Sequence, residues 1–173
     1  MQRRSWLVLG VLIAGCSGVD VNHDYDKNYS FSTLKTWSWS PKEFETDGGG
    51  QISRVTTLTH ERIRSAVDHE LTVKKYERVE PQAADFWVRH YAAIGQRIES
   101  DSSYDYGYFG QDLRVYDEGT IIVDVISSKD KRLIWRGTAR GAIDPSLTPD
   151  EREKRVQEVV HDIMKDFPPD NKK

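Results

Sequence analysis

The sequence predicts an α/β (α+β) fold: a two-layer sandwich in which one mixed, mostly antiparallel sheet of about five strands carries two helices on one face. Three observations predict it. Several segments alternate apolar and polar residues or crowd β-branched and aromatic ones. Two others repeat apolar residues at helical spacing. Their order is strand, helix, four strands, helix, which suits a crossover around the first helix followed by a meander.

The elements follow in order. Residues 16–33 form a tether that becomes an edge strand or an extended arm. "KTWSWS" (35–40) puts Trp37 and Trp39 on one face and serines on the other, and Pro41 stops it. "ETDGGGQ" (45–51) is a flexible joint. From about 55 to 75, Ile63, Ala66, Val67 and Leu71 fall at i, i+3, i+4 and i+8, an amphipathic helix. "YERVE" (76–80) is a short strand ended by Pro81. "ADFWVRHYAAIGQRI" (84–98) is dense in aromatic and β-branched residues and reads as a long strand, with helix as the alternative. "ESDSSYDYGYFGQD" (99–112) is a loop. "LRVYDEGTIIVDVISS" and "RLIWRGTARGAI" then form a hairpin.

The hairpin's register follows from its faces. Ile121, Val123 and Val125 share one face, as do Leu133, Trp135, Gly137 and Ala139. Opposed residues must share a face, which requires an odd loop. A three-residue connection, 129–131, sets Val125 against Trp135 and Asp124 against Arg136 on the outer face, with a bulge. An exposed Asp124–Arg136 pair contributes only a few tenths of a kcal/mol, about 0.3. The last helix opens with Thr148, Pro149 and Glu151, a capping box with proline at its first position. Its stripe is Val156, Val159, Val160, Ile163 and Phe167, and two prolines end it.

The chain begins differently. "WLVLGVLIA" (6–14) follows Arg3 and Arg4 and is about half the roughly 20 apolar residues of a membrane span. A cationic start, a short apolar run and small residues describe a secretory signal peptide. "RRSWL" also holds the two arginines of a twin-arginine signal, although any cationic start supplies them. "IAGC" (Ile13, Ala14, Gly15, Cys16) resembles the lipobox of bacterial lipoproteins. That resemblance implies cleavage between Gly15 and Cys16, a covalent lipid on the Cys16 thiol and acylation of the new amino group. Small residues at 14 and 15 let a protease approach the backbone closely. Cys16 is the chain's single cysteine and has no intrachain partner. Acyl chains each contribute ~0.8 kcal/mol per buried methylene, and stable anchoring takes more than one. Ser17, rather than the aspartate that marks inner-membrane lipoproteins in enterobacteria, follows the cysteine, so the lipoprotein resemblance implies the periplasmic face of a Gram-negative outer membrane. The expected organisation is a signal peptide at 1–15, a lipidated tether at 16–33 and one domain at 34–173.

From Cys16 onward 158 residues remain, enough for one domain. Losing Arg3 and Arg4 takes the formal charge from −3 to −5, and no basic patch suits nucleic acid. The mean hydropathy of −0.68 describes a thin core under a wet surface.

Several stretches together resemble a family of bacterial envelope lipoproteins carrying a domain of unknown function, family 4136. They are "LKTWSWSP" (34–41), "RIRSAVDHEL" (62–71), "YERV" (76–79), "ADFWVRHY" (84–91), "EGTIIVDVISSKDKRLIWRGTARGAI" (118–143) and the helix ending in "FPP". The resemblance implies an α/β fold and an envelope location, and brings no activity, substrate or catalytic residue. Such proteins often read "KGY" after the first helix, where a glycine suits a left-handed cap; here Lys74, Lys75 and Tyr76 stand.

The five histidines are scattered, and His60–Glu61 lacks the second histidine of a zincin helix. No G-x-S-x-G, Walker or G-x-G-x-x-G motif occurs. No catalytic residue, metal ligand or cofactor other than the covalent lipid is therefore assigned. Tyr104, Tyr106, Tyr108 and Phe109 are unusual on a loop: they either fold back over the sheet or form a contact surface. The function expected is a non-enzymatic, lipid-anchored module contacting an envelope protein or polymer. The alternatives are a small-molecule or glycan site on the aromatic loop, and an envelope hydrolase using loop carboxylates. Nothing in the pattern sets an oligomeric state.

Overall fold

The computed structural model describes residues 18–41, 55–101 and 112–170, with backbone alone at 99–101 and 112–114. Its elements are β1 (Val19–Tyr25), a 3-10 turn (Phe31–Thr33), β2 (Thr36–Trp39), α1 (Thr57–Val73), β3 (Glu77–Arg78), β4 (Phe86–Asp101), β5 (Asp112–Ser127), β6 (Leu133–Ala142) and α2 (Pro149–Met164). The strands form one sheet in the order β1-β6-β5-β4-β2-β3. β2 runs parallel to β3 and β4, and the other neighbours are antiparallel. The mixed sheet with two helices is thus the predicted class, with six strands rather than about five. The addition is β1, which pairs with β6 from Val19↔Gly141 to Tyr25↔Trp135. His23 ties it to α2, its Nε2 lying 2.9 Å from the Ile163 carbonyl.

The core lies between one face of the sheet and the helices. Trp37, Trp39, Phe86, Val88, Val123, Val125 and Trp135 face the α1 stripe Ile63, Ala66, Val67 and Leu71, all buried as the spacing predicts. From α2 come Val160, Ile163 and Met164. Phe167 lies past the end of α2 rather than in its stripe, yet is fully buried. Its ring centroid sits 5.2–6.2 Å from those of Trp135, Phe86, Tyr76 and Phe31. Gly137 makes room for this packing. A methyl there would lie 2.5 Å from Trp135 Cη2 and 2.6 Å from Ile163 Cγ2.

Helix ends follow local chemistry. Thr56 caps α1, accepting from the Thr59 N–H, and Thr148 with Glu151 forms the predicted capping box on α2. α1 ends in a Schellman motif: Tyr76 N–H donates to Leu71 O at 3.0 Å and Lys75 N–H to Thr72 O at 2.9 Å. Lys75, at φ +66°, occupies the left-handed position usually given to glycine. The cap that the missing glycine put in question therefore forms with lysine.

In the β5–β6 hairpin the predicted pairs Val125↔Trp135 and Asp124↔Arg136 are present, but the connection is longer. Ser127 N–H donates to Arg132 O, so four residues, 128–131, make the turn, with Lys131 left-handed at φ +58°. An even loop keeps the register because a bulge between Val125 and Ile126 sets an extra β6 residue, Ile134, into the ladder. The bulge buries Ile134 beside Trp135 and turns Leu133 outward, 42% exposed, against its expected place on the core face.

The Asp124–Arg136 pair departs from expectation as well. It lies on the face away from the helices, but Asp124 is fully buried. Its Oδ1 accepts from Arg136 Nε at 2.6 Å, and its Oδ2 from Arg136 Nη2 at 2.8 Å and Arg89 Nε at 3.0 Å. Register places Asp24, Arg136, Asp124 and Arg89 in one row of alternating charge across four strands. Removing the carboxylate would break three charge-assisted hydrogen bonds at once, a larger loss than that of an exposed pair.

β4 and β5 pair as far as Asp101↔Asp112, whereas β6 accompanies β5 only from Glu118 onward. Residues 96–101 and 112–117 therefore continue past the sheet as a two-stranded ribbon. On it Ile98 and Val115, directly opposed, are 65% and 57% exposed.

Candidate functional site

Along the strands the helix-side face changes from large to small residues. At one end it carries the tryptophans and Phe86. At the other, register aligns Val21, Ala139, Ile121 and Ala92 in one row and Val19, Gly141, Gly119 and Ile94 in the next. Glycine and alanine cannot fill the distance between a sheet and its helices, about 10 Å. A pocket of about 520 Å³ results. Its roof is Thr59 and Arg62 of α1 with Arg152, Arg155, Val156 and Val159 of α2. Ile143, Asp144 and Leu147 close its side.

The pocket joins an apolar floor to a basic roof. The Arg152 guanidinium donates from Nε to Leu147 O and from Nη2 to Pro145 O, both at 2.8 Å, which fixes the loop before α2. Arg155 Nη1 is 3.9 Å from Glu158 Oε2. Asp144 is the single carboxylate among the described residues of the lining. The Ser146 hydroxyl, then its backbone N–H, hold that carboxyl below the usual carboxylate range. Among the described residues the lining holds no histidine, cysteine or carboxylate pair. Such a lining has the chemistry to complement an apolar group with a negative end.

A second cluster sits over β2 and β4. His60 Nδ1 and His90 Nε2 are 3.0 Å apart, and the Trp39 ring meets His90 edge-on at 5.7 Å. Arg64 lies 4.1 Å over Trp39, whose Nε1 donates to Asp68 Oδ1 at 3.0 Å. Burial first, then the charges of His60 and Arg64, push His90 down to about 4. Among the described residues no group of three or more His, Cys, Asp or Glu side chains converges as a metal site would require.

Of the sequence-derived site residues, Gly15, Cys16, Tyr104, Tyr106, Tyr108 and Phe109 lie outside the described residues. The described structure ends on both sides of the aromatic stretch at the β4–β5 ribbon. The pocket was not anticipated. Its signal is the coincidence of Gly119 with Gly141 and of Ile121 with Ala139, visible once the hairpin register is set.

The family model for a domain of unknown function, DUF4136, matches residues 21–169. The chain belongs to the DUF4136 family. Among solved structures it is similar to a DUF4136 family protein from Bacteroides thetaiotaomicron, with 14% identity, a TM-score of 0.53, and coverage of 87% of this chain and 96% of that one. It is also similar to a PDZ domain protein from Parabacteroides distasonis, with 15% identity, a TM-score of 0.56 and coverage of 87% of this chain. The match spans only 36% of that longer protein. A single-substitution variant of the PelC dodecamer from Paraburkholderia phytofirmans follows at 10% identity and a TM-score of 0.49, covering 84% of this chain and 94% of that one. At these identities the likeness concerns the DUF4136 fold alone. No curated protein matches the chain.

Proposed function

We propose that this DUF4136 chain is a lipid-anchored envelope lipoprotein, held at the periplasmic face of the outer membrane, that works as a non-enzymatic binding or structural module. The observation that carries the reading is "IAGC" directly behind an apolar run and two arginines. Ser17 after the cysteine supports outer-membrane sorting. β1 begins at Val19, three residues after Cys16, a span of at most about 11 Å, which suits a domain seated close to its anchor. Among the described residues no helix is long and apolar enough to cross a membrane. Tyr104, Tyr106, Tyr108 and Phe109 are the proposed contact with an envelope protein or polymer, supported by the exposed Ile98 and Val115 on the ribbon that leads to them.

Cell fractionation with a high-salt wash tests the anchor. Salt screens surface charge contacts but not buried acyl chains. The native protein is expected to stay with the membranes and Cys16→Ser to be released. A Cys16→Ser variant that resists the wash as the native protein does would overturn the reading.

A further inference from the structure

We infer that the pocket under α1 and α2 binds an anionic phospholipid, one acyl chain lying on the Gly/Ala floor and the phosphate meeting Arg62 and Arg155. Three observations meet at one end of the sheet. Val19, which lines the pocket, is three residues from Cys16, so the anchor and the pocket share that end. The interior is apolar, built by Val19, Ala92, Ile121, Ala139, Val156 and Val159. Among the described residues, the charged side chains on the helix side of the lining are three arginines, Arg62, Arg152 and Arg155, against Asp144, in a chain whose overall balance is acidic. A basic, apolar-floored pocket on an acidic protein complements a negative amphiphile and disfavours a neutral one. The β4–β5 ribbon leaves the sheet at this same end, with Ile98 and Val115 exposed. Arg152 is the positioning residue: its two bonds to backbone carbonyls hold the loop beside Asp144, with further N–H groups to spare.

The inference rests on the lipoprotein reading for the pocket's place at a membrane, but not for its chemistry, and its test separates the two. All described elements follow residue 17, so the chain from residue 16 with Cys16→Ser keeps the whole core and carries no acyl anchor. This protein is titrated with vesicles containing phosphatidylglycerol, with pure phosphatidylcholine vesicles and with inorganic phosphate as competitor. Binding to the phosphatidylglycerol vesicles alone is expected. Arg62→Gln and Arg155→Gln should each weaken it about fivefold. Ala92→Leu keeps every charge but occupies the floor, and should weaken binding on the order of tenfold through lost burial of about two methylenes. Thermal unfolding identifies variants that remain folded. Absence of binding, equal binding to both vesicle types, or a folded Ala92→Leu that binds like its parent would overturn the inference. So would full displacement by inorganic phosphate, which would mark a free-anion site. Each result is independent of whether the native chain is acylated, which the salt-wash experiment decides.

Discussion

His90 shows what one side chain can impose. It faces the helices from the first half of β4, against His60, Arg64 and Trp39, whose Nε1 donates to Asp68. A folded-state value of about 4 lies below the ordinary histidine value near 6.5, so the unfolded chain takes up the proton first. Stability is then fully present above pH 6.5 and falls as pH drops toward 4, by up to about 1.4 kcal/mol per pH unit. Urea unfolding at pH 7, 6 and 5 should show this slope, and His90→Gln should remove it; parallel slopes in the two proteins would contradict the assignment. The alternation of the strand made His90's inward direction legible, since Phe86, Val88 and His90 share a face. Its partner was not legible, because His60 is thirty residues away on a helix whose rotation only packing sets. Asp124 teaches the same lesson. Its opposition to Arg136 followed from register, but its burial needs Arg89 from a third strand.

At the scale of elements, the clearest departure from local propensity is the end of α1. The Schellman bonds are made, yet an exposed lysine adopts a backbone conformation that strains a side chain by about 1 kcal/mol or more. Lys75→Gly relieves the strain, while glycine's greater freedom in the unfolded chain offsets part of the gain. A net stabilisation of about 0.5–1 kcal/mol is expected, read as a higher urea midpoint at unchanged slope. A lower midpoint would mean that the lysine side chain contributes something the backbone account omits. Both helices were legible from their stripes, and the capping box of α2 from Thr148, Pro149 and Glu151. The hairpin was legible in its central pairs but not in its turn. Parity demands an odd loop only if the strands are regular, and the bulge at Ile134 supplies the extra residue within β6 instead. β1 left a weaker signal because "VDVNHDY" alternates valine with polar residues and faces the helices with His23.

For the whole molecule, the aromatic end of the sandwich is closed by Phe167 and the tryptophans, and the Gly/Ala end is open as a pocket. The open end is where β1 starts, where both helices begin and where the β4–β5 ribbon departs. That the start of β1 and the β4–β5 ribbon lie at one end of the sheet was not legible in the sequence, because it depends on three registers holding at once. The proposed anchoring turns on Cys16. Mass spectrometry of the N-terminal peptide of the protein extracted from membranes tests this most directly. It should begin at Cys16 and carry the added mass of acyl chains on both the thiol-linked lipid and the amino group. A peptide that begins upstream of Cys16, or one with a free Cys16 thiol, would contradict it.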